Sequence, residues 1–186
     1  MFALVAALAL TAPPAGRTLA VEPAGSTVTF LIVHKLHEVN GRTQRVEGRA
    51  VVQPDGKVLA MARVPVATFD SGDSNRDAHM REAIEAGRFP FAVVKGIATI
   101  PAGALDGSRP AAVEVTLAGE VELHGVKRPV QVPLTVTFEP GGAARVRGEF
   151  TVGLEAHGVE RPSLLFVKVE DACRIRLDLL LREVKP

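Results

Sequence analysis

Alternation of apolar and polar side chains at every second residue dominates this chain. Val113, Val115, Leu117, Gly119, Val121 and Leu123 share one phase, and Glu114, Thr116, Ala118, Glu120 and Glu122 the other. A period of two puts alternate side chains on opposite faces of a β-strand. The same pattern recurs in Val28, Phe30, Ile32 and His34, in Val46, Gly48, Ala50 and Val52, and in Val58, Ala60, Ala62, Val64 and Val66. It returns in Val130 to Phe138 (with Val132, Leu134 and Val136), in Val146 to Leu154 (with Phe150), and in Cys173 to Leu181 (with Leu177). Phe91 to Ile100 is a further strand of ambiguous phase. Lys35 to Arg42, Pro54-Asp55-Gly56, His124 to Pro129 and Gly141-Gly142 read as the turns between them.

About eight strands, each with one apolar face, must cover those faces. Stacking two sheets would do so, but these strands are long and linked by hairpins. Closing the sheet on itself also removes exposed edges. The charged face of each strand turns outward, the reverse of a membrane barrel with its polar lumen. The sequence therefore predicts an all-β, antiparallel, eight-stranded up-and-down barrel.

One stretch breaks the period. In Thr68 to Phe91 the apolar residues fall at helical spacing, with Arg76, Met80, Ala83, Ile84 and Gly87 on one face. Ser74 and Asp77 form a capping-box pattern. Asp77–Arg81 and Arg81–Glu85 are opposite charges four apart. Gly87 stands where a left-handed residue ends a helix, and Pro90 follows. A short helix over 74–86, packed at the barrel rim, is expected.

An eight-stranded barrel is just wide enough to be filled by side chains or to hold one small ligand. Gly48, Ala50, Ala60, Ala62, Gly119 and Gly148 fall on the inner phase. Two readings of the glycines stand: volume left for a ligand, or bends that let long strands curl. The alanines favour a cavity, because alanine does little for bending.

The 186 residues carry a formal net charge of +1, which argues against nucleic-acid binding driven by bulk charge. Trp and Tyr are absent, removing the usual stacking platforms for bases. A single Cys allows neither an internal disulfide nor a cysteine zinc site. Ala3 to Ala12 is an alanine-rich apolar run, too short to span a bilayer, and Pro13 to Gly16 break it. Residues 1–16 thus read as a signal peptide or disordered leader, 17–186 as the barrel, and the protein as exported, to the periplasm or beyond. No integral membrane span is expected, and a homodimer is left open.

Polar groups suited to chemistry are scarce on the inner faces. There is no G-x-S-x-G, no phosphate loop and no inward pair of carboxylates. No enzyme activity, cofactor or metal is expected. His34 and His37 are the one close histidine pair, and three residues apart on one strand they would face opposite ways. His34 ends an inner-face run, where it meets either a ligand's polar end or a backbone carbonyl. Arg76, Asp77 and His79 are the best candidates for a ligand head group. Free amides at the helix N-terminus, with Arg76, could hold a phosphate or carboxylate. The alternative is structural: Asp77 caps the helix, Arg76 pairs with a carboxylate, and His79 packs on the rim. Cys173 reads as a small apolar filler. His124 to Pro129 (HGVKRP) and His157 to Pro162 (HGVERP) read as one turn chemistry used twice.

With these residues laid out, the chain resembles the YceI family of bacterial exported proteins. Ser26 to His34 (STVTFLIVH) is similar to the family's S-x-V-x-F-x-V-x-H strand, with Gly41 and Gly48 at its following glycines. Asn75 to Met80 (NRDAHM) resembles its R-D-x-H-[LM] signature, followed by Phe89-Pro90. Gly119 to Pro129 resembles its G-x-L-x-x-x-G-V-x-R-P hairpin. The resemblance implies a lipocalin-like barrel whose apolar interior holds a polyisoprenoid or similar lipid. Arg161 to Val169 (RPSLLFVKV) departs from the aspartate-containing segment of many members.

The expected function is an exported binding protein that carries, stores or sequesters an apolar chain. Its expected ligand-binding residues are Val28, Phe30, Ile32, His34, Ala50, Ala60, Ala62, Met80, Ile84, Leu117, Gly119, Leu134, Val136, Phe138, Phe150 and Leu177. The alternatives are an enzyme or stress-response factor working at the helix-side mouth, and a ligand-free structural barrel.

Overall fold

The computed structural model describes residues 16–34, 37–101, 104, 112–139, 141–161, 163–164 and 167–184. The apolar run before Gly16, read above as a leader, and most of the stretch Pro101 to Pro110, read above as part of the connection between strands, lie outside them. Among the described residues twelve strands form: β1 (Arg17–Val21), β2 (Thr27–His34), β3 (His37–Thr43), β4 (Glu47–Val52), β5 (Lys57–Pro65), β6 (Phe91–Thr99), β7 (Ala112–Leu123), β8 (Val126–Glu139), β9 (Ala143–Gly153), β10 (Ser163–Leu164), β11 (Val167–Lys168) and β12 (Ala172–Glu183). A single α-helix among the described residues, α1 (Ser74–Ala83), follows β5.

Ten strands run in the order β1-β4-β5-β6-β7-β8-β9-β12-β2-β3, and β1 also pairs with β12, which closes the ring. All pairings are antiparallel. β1 and β2 lie end to end along the same edge of β12, and β3 and β4 continue one another in the same way. The result is a closed antiparallel barrel of eight staves, two of them broken.

Each break has a polar device that preserves the ladder. Between β1 and β2, the buried Ser26 hydroxyl donates to the Glu22 carbonyl at 2.7 Å and accepts from the Leu180 N–H at 2.9 Å. The β12 amide that would otherwise lose its partner is thereby satisfied. Between β3 and β4, Thr43 Oγ1 accepts the Arg45 N–H at 3.0 Å and bonds Thr68 Oγ1 at 2.8 Å.

Several sequence-level expectations need correction. Lys35 to Arg42 is not a turn, because β3 begins at His37. Its inner face carries only Val39 and Gly41, so the apolar signal is missing. The Phe30 ring lies where a Gly41 Cβ would be, 2.5 Å from Phe30 Cε1, and supplies that surface instead. His34 and His37 do not share a strand; they are cross-strand register partners, and their side chains lie outside the described set.

The helix also differs in detail. Its N-cap is Asp73, not Ser74, and Oδ1 accepts from the Asn75 and Arg76 amides at 3.0 and 3.1 Å. Asp77 is turned inward instead, 8% exposed, accepting the Ser71 N–H at 3.1 Å. The helix ends at Ala83, and the left-handed residue after it is Glu85 (φ 46°), not Gly87. Neither Asp77–Arg81 nor Arg81–Glu85 forms. Glu85 pairs with His124 and Arg88.

The two similar hexapeptides are different turns. His124 (φ 52°) and Gly125 (φ 73°) make a tight β-hairpin turn, with β8 starting at Val126. Glu155 to His157 is a 3-10 turn that ends on Gly158 (φ 70°). They are joined in space. His124 Nδ1 lies 3.2 Å from the His157 carbonyl, and Arg128 Nε donates to the Ala156 carbonyl at 2.9 Å.

Candidate ligand-binding cavity

Apolar side chains point into the barrel from every stave, yet they are not equally covered. At the end bearing the β4–β5 turn, Leu19, Val52, Val58, Ile100, Leu179 and Leu181 are buried, while Val115, Phe138 and Val146 beside them are half-buried. At the other end, beneath α1, Ile32, Val39, Leu123, Phe150 and Ile175 have the same inward phase but are only half-buried. Their neighbour is empty space, not solvent outside the wall. A cavity of about 560 Å³ fills this half of the lumen, within the usual range for small-molecule sites. A smaller void of about 100 Å³ lies between the apolar walls of the other half.

The helix forms the roof. Met80, Ala83 and Ile84 face the large cavity, and Phe69, just before the helix, packs edge-on against Phe30 at 5.3 Å between ring centres. The roof is fastened at both ends. At its start, backbone hydrogen bonds of 3.0 Å in each direction join Asp70 to Arg42 of β3. At its far end Glu85 Oε1 lies 3.1 Å from His124 Nε2. His124 Nδ1 faces the His157 carbonyl, so the ring is held between two oxygens. The hydrogen bond to His124 holds the Glu85 carboxyl below its ordinary range. Phe89 packs on the His124 ring at 4.6 Å.

Polar groups gather at the roof's N-terminal edge. Ser71, Asp73, Asn75, Arg76, Asp77 and His79 all border the large cavity there. The helix-end amides are already occupied by the Asp73 carboxylate, and that donation, from the Arg76 amide first, holds Asp73 below its ordinary range. Arg76 pairs with Asp73 at 3.7 Å. His79 is exposed, not packed on the rim. Among the described residues, no group of three or more His, Cys, Asp or Glu is placed to hold a metal ion.

The expected site residues divide between the two voids. Val28, Phe30, Ile32, Met80, Ile84 and Phe150 border the large cavity. Ala50, Ala60, Leu117, Leu134, Val136 and Phe138 border the small one. Ala62 and Leu177 border both. Gly119 borders neither, because its Cα lies against the backbone of Lys95 and Gly96. His34 lies outside the described side chains. Arg76, Asp77 and His79 are at the mouth.

A family model described as a YceI-like domain matches residues 19–181. The chain belongs to the YceI-like family. A search of curated protein sequences finds no match. Among solved structures it is similar to a polyisoprenoid binding domain from Saccharophagus degradans implicated in plant cell wall breakdown, with 15% identity, TM-score 0.73, and 89% of this chain and 98% of that one covered. BcnA of Burkholderia cenocepacia superposes with TM-score 0.69 at 20% identity, covering 86% of this chain and 98% of that one. The Campylobacter jejuni YceI protein does so with TM-score 0.59 at 9% identity, covering 83% and 90%. At these identities the likeness speaks for the shared fold.

In this YceI-like barrel several cavity residues carry no sequence signal of their own. Val39 hides in a polar strand, and Val159 lies in an irregular segment; Val169, by contrast, closes the atypical apolar stretch Arg161 to Val169, whose composition already allowed it to line the cavity. Leu123, Leu154 and Ile175 were legible as inner-phase residues but not as cavity wall. Asp77 is the polar group on which the roof depends. Asp77→Ala strands the Ser71 amide and should cost about 1–3 kcal/mol. Faster proteolysis of the 70–88 segment, with the rest of the barrel still protected, would register it.

Cys173 also borders the large cavity, and burial pushes its thiol up to about 12. Its thiolate fraction at neutral pH should be roughly a thousandfold below that of an exposed cysteine. A thiol reagent should label the folded protein very slowly and the denatured protein at once. Rapid labelling of the native state would show that the cavity wall is open to water.

Proposed function

We propose that this YceI-like protein is an exported binding protein that holds a polyisoprenoid or other long apolar chain in the upper half of its barrel. The observation that carries this reading is the half-exposed apolar wall beneath α1, which encloses about 560 Å³. Such a wall offers transfer free energy of about 25 cal/mol per Å² of chain buried, and no chemistry. The similar structure from Saccharophagus degradans is a polyisoprenoid binding domain, which agrees with it. The mouth supplies the polar end of the site. Because Asp73 occupies the helix amides and pairs with Arg76, the bound molecule's polar end is uncharged, such as a hydroxyl or carbonyl, reached by Asn75 and His79. Export is supported by the apolar run Ala3 to Ala12 and the Pro-Pro break after it. Among the described residues, no helix is long and apolar enough to cross a membrane.

Native mass spectrometry of the purified protein, followed by organic extraction, tests the reading. One lipid per barrel is expected, with an uncharged polar end. A protein that carries no lipid and takes up no long-chain alcohol would overturn it.

A further inference from the structure

The lumen contains two voids, and what separates them is a thin layer of side chains. Ala62 and Val94, register partners on β5 and β6, border both, and so does Leu177 from β12. Phe150 of β9 borders only the large cavity. It packs on the cluster of Ala98, Leu117, Val132 and Leu134, and that cluster walls the small void. Gly148 completes the layer: a Cβ there would stand 2.5 Å from Leu134 Cδ2, so its missing side chain is the space Leu134 fills beneath Phe150. At the level between the two voids β5 contributes only Ala60 and Ala62, with Val58 and Val64 above and below them. The lumen's depth is therefore set by a few large side chains on one wall, not by the backbone.

We infer that Phe150 and Leu177 form the floor of the site and select the longest apolar chain it accepts; this rests on the lipid-binding reading above. While a chain still lengthens into the cavity, each added methylene raises affinity about fourfold. Once its end meets a close-packed floor, further methylenes find no space, and the gain stops. The small void of about 100 Å³ is reserve depth that the floor keeps closed.

Titration calorimetry with a straight-chain alcohol series, octanol through eicosanol, reads this directly on the delipidated protein. The wild type should gain about fourfold per methylene and then level off. Phe150→Ala should move the plateau to longer chains by several methylenes, and Phe150→Leu should move it less. The milder variant carries the test if the alanine protein does not fold. Ala98→Leu, which fills the small void, should leave the wild-type plateau in place yet return the Phe150→Ala plateau to it. An unchanged plateau in both Phe150 variants overturns the floor while leaving lipid binding intact. So does a shorter plateau in Ala98→Leu alone, since the deep void would then already be in use. If no alcohol binds the wild type saturably, both the floor and the lipid-binding reading fall.

Discussion

Ala62→Phe is expected to cost more than a hundredfold in affinity for a long apolar ligand while leaving the barrel as stable as before or more so. Ala62 borders both voids and is only half-buried, so a ring there grows into empty space and not into its neighbours. A phenyl ring excludes roughly four methylenes of ligand, and at about 0.8 kcal/mol each that removes about 3 kcal/mol of binding. The same ring buries apolar surface in the ligand-free protein, and filling a cavity commonly adds about 0.5–2 kcal/mol to stability. The two effects have opposite signs because the void serves the ligand, not the fold. Calorimetric titration with a long-chain alcohol and thermal unfolding of the delipidated protein measure them separately. A variant that binds as tightly as the wild type would place the ligand somewhere other than this lumen.

Gly119→Ala should be among the most damaging single methyl groups that can be added to this chain. Gly96 and Gly119 are register partners on β6 and β7. A Cβ on Gly119 would lie 2.0 Å from the Lys95 carbonyl oxygen and 2.5 Å from the Gly96 Cα. Both are backbone atoms, which cannot swing aside as a side-chain end does. The described ladder between these strands runs only from Val93–Glu122 to Ile97–Ala118, so the clash falls inside it. Separating two staves of a closed barrel also creates two unpaired edges. A loss of roughly 3 kcal/mol is expected, at the upper end of what overpacking costs. Gly87→Ala is the matched control. Nothing lies within 4 Å of its Cβ position and its φ is not positive, so its effect should stay within about 0.5 kcal/mol. Urea unfolding midpoints for the two variants decide the matter, and equal midpoints would refute the close-approach role of Gly119.

The contrast between these glycines shows how far residue type alone can be read. Gly48, Gly119 and Gly148 share the inner phase with Ala50, Ala60 and Ala62, and the sequence left open whether the glycines make room or make contact. They make contact, with the backbone of Met61, Lys95 and Pro133 respectively. The three alanines do border voids. Gly87 looked like the helix terminator, but the left-handed residue is Glu85, because His124 and Arg88 hold its side chain from outside the helix. The His124 partner comes from a hairpin turn far along the chain and leaves no local signature. Phe91 to Ile100 had no clear phase because apolar residues occupy both faces. Phe91 lies beneath the Arg63 guanidinium at 4.6 Å, while Ile97 is 44% exposed on the outer wall.

Period-two patterning settled which side chains enter the barrel, because strand geometry is local and every second residue must share a face. It favoured closure as well, since two stacked sheets would hide the faces but leave edges open, and the β1–β12 pairing of the folded chain settles it. Whether the enclosed space is full or hollow was decided elsewhere. It depends on how far side chains from opposite staves reach across the lumen, and on a helix held over one end by Asp70, Asp77 and Glu85. Those distances join residues far apart in the chain, such as Ala62 and Leu177 around one floor, and only the folded barrel brings them together.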